Sequence, residues 1–224
     1  MIGLDEKTQQ AQEYRIVLDL PHDVREYYTL LRDRLMLSYK GNTQLLRTIA
    51  VTSCHSDEGV STVALNLAVT IAHHEKVLLI DADPEDTSVL SSLRDIPIHN
   101  PEAVEAQMTP LINVATNLDV LSVALMDGDD PKQFESPVKL EKLLNSYRAD
   151  YDCIVVDTPP MQEGSAALRI SSLVDGVVIV VEAERTRIEA VKRTKEQLKQ
   201  VHANVLGIVL NKRRLAIPKT FFWK

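Results

Sequence analysis

The sequence predicts an α/β domain in which helices cover both faces of a mostly parallel β-sheet. Short apolar runs alternate with longer amphipathic segments along most of the chain, a pattern typical of parallel strands joined by helical crossovers. Two of the runs end in aspartate, at Asp81 and Asp157. The stretch 48–68 passes from an apolar run through a polar, turn-rich loop into residues at helical spacing. We therefore expect a doubly wound sheet with a ligand site at the carboxyl ends of its strands.

The composition fits a single domain of 224 residues, of which 45% are hydrophobic. We predict a polar N-terminal arm over 1–20, one domain over 21–211 and a basic, aromatic tail over 212–224. A net charge of -7 argues against a nucleic-acid surface. Free thiols at Cys54 and Cys153 and a polar start indicate a cytoplasmic protein. No apolar run approaches the roughly 18 residues that span a bilayer, so membrane association is expected only through a partner or the tail.

Apolar periodicity predicts each element in order. A first helix is expected over 23–39, with an inward face that comprises Val24, Tyr27, Leu30, Leu31, Leu35 and Leu37. A strand, loop and helix follow at 48–68, and a buried strand at 76–82. Residues 84–137 contain several prolines and give one predicted strand, at 118–123.

The second half of the chain alternates regularly between helices and strands. Helices are predicted over 137–150, 166–173 and 185–202, and strands over 152–160, 176–181 and 204–210. The inward face of the last helix is expected to comprise Ile188, Val191, Leu198 and Val201. This alternation supports one doubly wound sheet.

The loop between the first strand and its helix has most features of a phosphate-binding loop. In such loops backbone N–H groups and a helix N-terminus hold phosphate, a lysine neutralises it and a hydroxyl binds magnesium. Gly59, Ser61 and Thr62 occupy the expected positions, but Val60 stands where the lysine belongs, and Asp57 adds a carboxylate. A charge pair about 4 Å apart is worth roughly 4 kcal/mol at an effective dielectric near 20. We therefore expect weak or absent binding of a triphosphate.

Three carboxylates follow predicted strands at the same edge of the sheet: Asp81, Asp83 and Asp157. In a phosphoryl-transfer site such acids hold magnesium and orient the attacking group. An aspartate at the end of a strand is also a common turn or cap residue. The combination with a phosphate loop favours a nucleotide site.

Four sequence segments together resemble a known family: EGVST at 58–62, LLIDADP at 78–84, YDCIVVDTPP at 151–160 and VLGIVLNKRR at 205–214. They are similar to the cytoplasmic domain of bacterial protein-tyrosine kinases that regulate capsule and exopolysaccharide synthesis. Those kinases are relatives of the Min and Par partition ATPases and share their P-loop fold. The tail at 210–223, LNKRRLAIPKTFFW, is similar to the group associated with chain-length-determinant proteins of exopolysaccharide export.

The resemblance implies Mg-ATP as cofactor and a role for each matching residue. Nucleotide-binding positions would be Glu58, Gly59, Ser61, Thr62 and Asn211, with Asn211 near the adenine. Thr62 or Ser61 would supply the magnesium hydroxyl, Asp157 would be a second magnesium ligand, and Asp81 and Asp83 would be catalytic. The implied partner is an inner-membrane chain-length-determinant protein, which would hold this domain at the inner face of the membrane.

The departures from the family pattern leave two functions open. Val60, Asp57 and Ser56 replace a lysine, a glycine and a proline of the family loop, and no tyrosine follows Tyr151 to serve as a phosphorylated tail. Thr29 replaces an arginine of a helix motif that packs subunits into a ring, which weakens the expected homo-oligomer. One reading is a degenerate kinase-like regulator with little or no bound ATP.

The alternative reading is an active Mg-ATP-dependent tyrosine kinase or ATPase. In this case Arg185 or Arg187, after a predicted strand on the ligand side, or a neighbouring subunit would replace the lysine. Lys76 opens a strand and is expected at the opposite edge. A weaker third reading is a nucleotide switch that binds without hydrolysis.

Overall fold

The computed structural model describes residues 22–39, 46–83, 89, 93, 111–123 and 136–213. Its strands are β1 Thr48–Ser53, β2 Val77–Asp81, β3 Leu111–Ala115, β4 Leu118–Ser122, β5 Cys153–Asp157, β6 Gly176–Glu182 and β7 Val205–Asn211. Its helices are α1 His22–Tyr39, α2 Val60–Ala72, α3 Pro137–Tyr147, α4 Ala166–Ser171 and α5 Ile188–Gln200, with a 3-10 turn at Met161–Glu163.

The strands form one seven-stranded sheet in the order β3-β4-β2-β5-β1-β6-β7. Every neighbouring pair is parallel except β3 and β4, which are antiparallel at one edge. The predicted fold class, a mostly parallel α/β sheet, is confirmed.

Alternate residues of the central strands feed two apolar cores, one on each face of the sheet. Ile49 and Val51 of β1 belong to the core that α1 and α2 cover, together with Leu67 of α2. Ala50, between them, belongs to the core of the other face, which contains Leu198 of α5 and residues of α3 and α4. All six residues of β1 are buried. Burial on both faces explains why these strands are continuous apolar runs.

The parallel register brings the carboxyl ends of the strands to one edge. Asp81 of β2 lies opposite Asp157 of β5, and Val51 of β1 lies opposite the same Asp157. On the other side of β1, Glu182 of β6 is paired with Asn211 of β7. The loop after β1 therefore lies between two acidic strand ends and a polar pair.

Two predicted inward faces are partly wrong. In α1, Tyr27, Leu30 and Leu37 are exposed by 70%, 49% and 60%. Leu31 and Leu35 pack on the core as expected, and Tyr28 and Met36, which were not predicted, pack there with them. In α5, Ile188 is 67% exposed, while Leu198 is buried as expected. Ile188 is the first residue of its helix, so it lies at the helix end rather than over the sheet.

The strand β3 was not predicted. It alternates between exposed and buried residues over Leu111–Asn113, since it is an antiparallel edge strand, and it follows a proline-rich stretch that hides the pattern. The predicted arm at 1–20 and the tail beyond Arg213 lie outside the described residues, and the proposed division 1–20, 21–211 and 212–224 stays a prediction. In the described ranges, no helix has both the length and the apolar character that a membrane crossing requires.

Candidate nucleotide site

The loop between β1 and α2 turns tightly through two residues with left-handed backbone. Gly59 has a φ of 90° and Asp57 a φ of 63°. Glycine suits position 59 for its left-handed backbone and also for lack of space, because a Cβ built there would lie 2.2 Å from Nδ2 of Asn211. Asp57 adopts the same region with a side chain, which costs roughly 1–2 kcal/mol. The loop keeps the shape of a phosphate loop at some cost in backbone strain.

Glu58 braces this loop from inside. Its side chain is only 3% exposed, and its Oε2 accepts the backbone N–H groups of Cys54 at 2.8 Å and His55 at 3.1 Å. The other oxygen accepts the hydroxyl of Thr186. Hydrogen bonds to a carboxylate are strong enough to fix loop geometry. The carboxylate of Glu58 is therefore turned toward the loop backbone, and a nucleotide contact by Glu58 stays a prediction.

The ends of β6 and β7 hold the loop in place. Thr186, which bonds to Glu58, also accepts the backbone N–H of Glu182 at 2.9 Å. Asn211 donates its side-chain N–H to the carbonyl of Glu58 at 2.9 Å. The predicted contact of Asn211 with adenine is untested; in this structure its amide supports the loop at Gly59.

Lys212 follows β7 directly and reaches the same loop. Its ammonium donates to the carbonyl of Asp57 and lies 3.3 Å from Oε2 of Glu182, which Arg185 also contacts at 3.1 Å. Desolvation raises the pKa of the Glu182 carboxyl, but hydrogen bonds and positive charge from Lys212 and Arg185 outweigh it, so this pKa lies below its ordinary value. Glu182 is thus a carboxylate shared by two cations.

A cleft of about 520 Å³ opens above the loop and the strand ends. Its lining residues are Ser53, Ser56, Asp57, Gly59, Val60, Ser61, Thr62, Asp83, Asp157, Thr158, Pro160, Glu163 and Lys212. The lining is mostly polar: hydroxyl side chains and four carboxylates face one ammonium group, and Val60, at the start of α2, is apolar.

The loop also contacts the segment that follows β5. Nδ1 of His55 lies 2.5 Å from Oε1 of Gln162, and the hydroxyl of Ser56 donates to the carboxylate of Glu163. These contacts join the two walls of the cleft. Ser56 and Glu163, which both line the cleft, are therefore in direct contact.

Most predicted site residues lie along this cleft. Gly59, Ser61, Thr62, Asp83 and Asp157 line it. Asp81 is 1% exposed and lies beneath them, in register with Asp157. These positions agree with the expected arrangement of the edge, while the chemical role of each residue remains a prediction.

The donor set of the cleft fits magnesium better than it fits phosphate. Hydroxyl and carboxylate oxygens of Thr62, Asp83 and Asp157 are ligands of the type that Mg²⁺ binds. In the described residues no three His, Cys, Asp or Glu side chains converge as a metal site. A magnesium ion would therefore need phosphate or water oxygens as well. Four carboxylates, those of Asp57, Asp83, Asp157 and Glu163, oppose a polyphosphate.

The arginines that the sequence suggested as substitutes for the missing lysine do not line the cleft. Arg185 pairs with Glu182, Arg187 is exposed, and neither is among the residues that line the cleft. Lys212 lines it instead. Sequence reasoning assigned Lys212 to the tail, although its place immediately after a parallel strand put it at the carboxyl edge. The same argument that indicated the arginines could have found it.

The architecture is that of a P-loop NTPase: a parallel sheet, a glycine loop between β1 and α2, and carboxylates at neighbouring strand ends. The family model described as ParA, NUBPL iron-transfer P-loop NTPase, matches residues 44–221. The chain belongs to this family of P-loop NTPases.

Individual relatives are named as tyrosine kinases. The chain is 29% identical over 216 residues to the tyrosine-protein kinase CpsD of Streptococcus agalactiae, covering 93% of this chain and 88% of the relative. Among solved structures, the chimerical protein CapA2B2 is similar with a TM-score of 0.68 and 25% identity, over 84% of each chain. The kinase domain of VpsO is similar with a TM-score of 0.64 and 26% identity, over 86% of this chain and 100% of that one. The resemblance to bacterial tyrosine kinases is confirmed.

Proposed function

We propose that this protein is a tyrosine-kinase-like regulator of capsule or exopolysaccharide synthesis in which binding of Mg-nucleotide is weak. One observation carries the proposal: Val60, at the first residue of α2, is 8% exposed in the cleft and supplies no charge there. Asp57 and Glu163 add negative charge to the same lining. A pair of unit charges about 4 Å apart is worth roughly 4 kcal/mol at an effective dielectric near 20, whether the pair is a lysine and a phosphate that attract or a carboxylate and a phosphate that repel. The loop retains its amide groups but has lost its main attraction for phosphate.

The named relatives support a proposal for the cellular setting. CpsD is named a tyrosine-protein kinase, and the likeness extends over 93% of this chain rather than over the loop alone. We infer that the domain works in the cytoplasm, docked on an inner-membrane protein of the chain-length-determinant type. Its contribution would be to the assembly of the polysaccharide export complex rather than to phosphotransfer.

A second candidate is an active Mg-ATP-dependent tyrosine kinase or ATPase. The observation that favours it is the common placement of Thr62, Asp83 and Asp157 on the cleft. These residues have the oxygen chemistry for a magnesium ion that neutralises a polyphosphate. In this case the acids would be functional rather than vestigial.

Calorimetric titration with Mg-ATP, combined with phosphate release and phosphotransfer to a tyrosine peptide, separates the two candidates. The regulator predicts a dissociation constant in the high micromolar range or weaker and no steady turnover. Micromolar binding with steady turnover would establish the enzyme.

A variant pair assigns any turnover that is found. Asp157→Asn should abolish a turnover that belongs to this cleft. Asp150→Asn, which changes an exposed aspartate just before β5, should leave the turnover unchanged. Turnover that survives Asp157→Asn would be assigned to a contaminating enzyme.

A further inference from the structure

We infer that Lys212 supplies the positive charge of the phosphate cradle in place of the missing lysine at Val60. This inference rests on the proposed function, because it assigns the residual nucleotide affinity of the cleft to one side chain. The ligand would be the polyphosphate chain of a Mg-nucleotide.

Lys212 is positioned at the cleft itself. Among the described residues, it is the one cationic side chain that lines the cleft. The backbone of Asn211, its neighbour, is paired with Glu182, and the Asn211 amide is bonded to the loop carbonyl of Glu58 at 2.9 Å. The base of the lysine is therefore held against the loop.

The side chain of Lys212 runs along the phosphate loop. Lys212 has a left-handed φ of 55°, and its Cε would lie 4.0 Å from a Cβ built on Gly59. Its ammonium donates to the carbonyl of Asp57 at the tip of the loop. The stem thus passes along the glycine turn, and the charge reaches the loop from β7 instead of from α2.

The ion pair with Glu182 leaves the ammonium able to change partners. Its side chain is 44% exposed, and the contact with Oε2 of Glu182 is 3.3 Å long. Arg185 contacts the same oxygen at 3.1 Å. When Lys212 turns to a phosphate oxygen, Arg185 remains to neutralise Glu182. After the exchange, Glu182 still has a counter-ion.

The test measures dissociation constants of the full chain for Mg-ATP and for inorganic triphosphate with magnesium. The variants are Lys212→Ala, Lys212→Arg and, as a matched control, Arg213→Ala, which removes the exposed neighbouring cation. Lys212→Ala should weaken both ligands by roughly tenfold or more, as for loss of a charge-assisted hydrogen bond. Lys212→Arg should retain most of the affinity, and Arg213→Ala should stay within about twofold of the parent.

Two further results identify the mechanism. Equal losses for ATP and for triphosphate place the contact at the phosphates, whereas a loss confined to ATP would contradict the inference and indicate a contact with the base. Val60→Lys in the Lys212→Ala background should restore binding, because it returns a charge to the same cradle.

The inference and the proposed function fail on different observations. Unchanged affinity in Lys212→Ala, or no measurable binding by the parent, overturns the role of Lys212 and leaves a kinase-like regulator standing. Steady phosphotransfer by the parent overturns the regulator. In that event the ratio of the dissociation constants of Lys212→Ala and the parent still tests whether Lys212 binds phosphate.

Discussion

Val60 and Asp57 change the chemistry of the phosphate loop without changing its path. Val60 begins α2 because a valine tolerates the first turn of a helix, and its side chain is nearly buried. Asp57 accepts a left-handed φ of 63°, a conformation that aspartate adopts more readily than most residues. Fold and charge are therefore separable in this loop: the turn and the start of α2 persist although the residue at position 60 is uncharged.

Cys54 lies in the same loop and gives a prediction on thiol reactivity. Burial raises the pKa of its thiol above the ordinary value; a hydrogen bond from Thr194 at 3.4 Å offsets part of this rise, and the charge of Glu58 adds to it. Burial likewise raises the pKa of Cys153. Because the thiolate is the reactive form, both cysteines should stay unlabelled by a thiol reagent at about pH 8 in the folded protein. Both should react at once in denaturant. Rapid labelling of the native chain would contradict the packing of the loop.

At the scale of elements, Asp175 fixes the start of β1 at the edge opposite the cleft. Its Oδ2 accepts the backbone N–H groups of Arg47 at 2.9 Å and Thr48 at 2.8 Å, and the hydroxyl of Thr48 at 2.8 Å. Its other oxygen pairs with Arg148 at 3.4 Å. One carboxylate thus joins the residues before β6 and after α3 to the first residues of the central strand.

Replacing Asp175 by alanine should lower the free energy of unfolding by about 2–4 kcal/mol, because several partly buried donors lose their acceptor together. Urea unfolding followed by circular dichroism measures this. Asp150→Ala, an exposed change nearby, should alter the free energy of unfolding by less than about 0.5 kcal/mol. An equal effect of the two substitutions would show that Asp175 does not anchor β1. Nucleotide affinity should not change, since the cleft lies at the far edge.

The elements differ in how far the sequence predicts them. Strands β1, β2, β5 and β6 are buried on both faces, so continuous apolar runs identify them, and the order of these runs gives the fold class. The edge strand β3 has no such run. In α1, apolar residues surround much of the helix, and only packing on α2 decides that Tyr28 is inward and Tyr27 outward.

The sequence predicts the site residues that belong to a local motif or to a strand end. It does not predict the contacts between residues that are distant in the sequence. Gly59, Ser61 and Thr62 follow from the loop pattern, and Asp83 and Asp157 from the ends of their strands. The bracing of the loop by Glu58 and the approach of Lys212 require β6 and β7 to lie beside β1. Strand order is a tertiary property, so a motif cannot reveal these contacts.

For the whole molecule, the chain combines a complete P-loop scaffold with an acidic cleft. A net charge of -7 repels anions in general. Four carboxylates of the cleft lining place negative charge where a polyphosphate would lie. Lys212 is the one cation among the described residues of the lining, so it offsets only part of the negative charge of the four carboxylates. We expect whatever affinity remains to fall steeply with added salt, as for any charge-dominated contact.

We propose that charge, and not shape, limits nucleotide binding by this protein. The most direct measurement compares the Mg-ATP affinity of the parent with that of a variant carrying Val60→Lys and Asp57→Gly together, by calorimetry under one buffer. We expect the variant to bind Mg-ATP at least roughly tenfold more tightly, since it gains an attraction and loses a repulsion. Equal affinity of a folded variant and its parent would contradict a limit set by charge, because it would show that the cradle itself no longer fits a nucleotide.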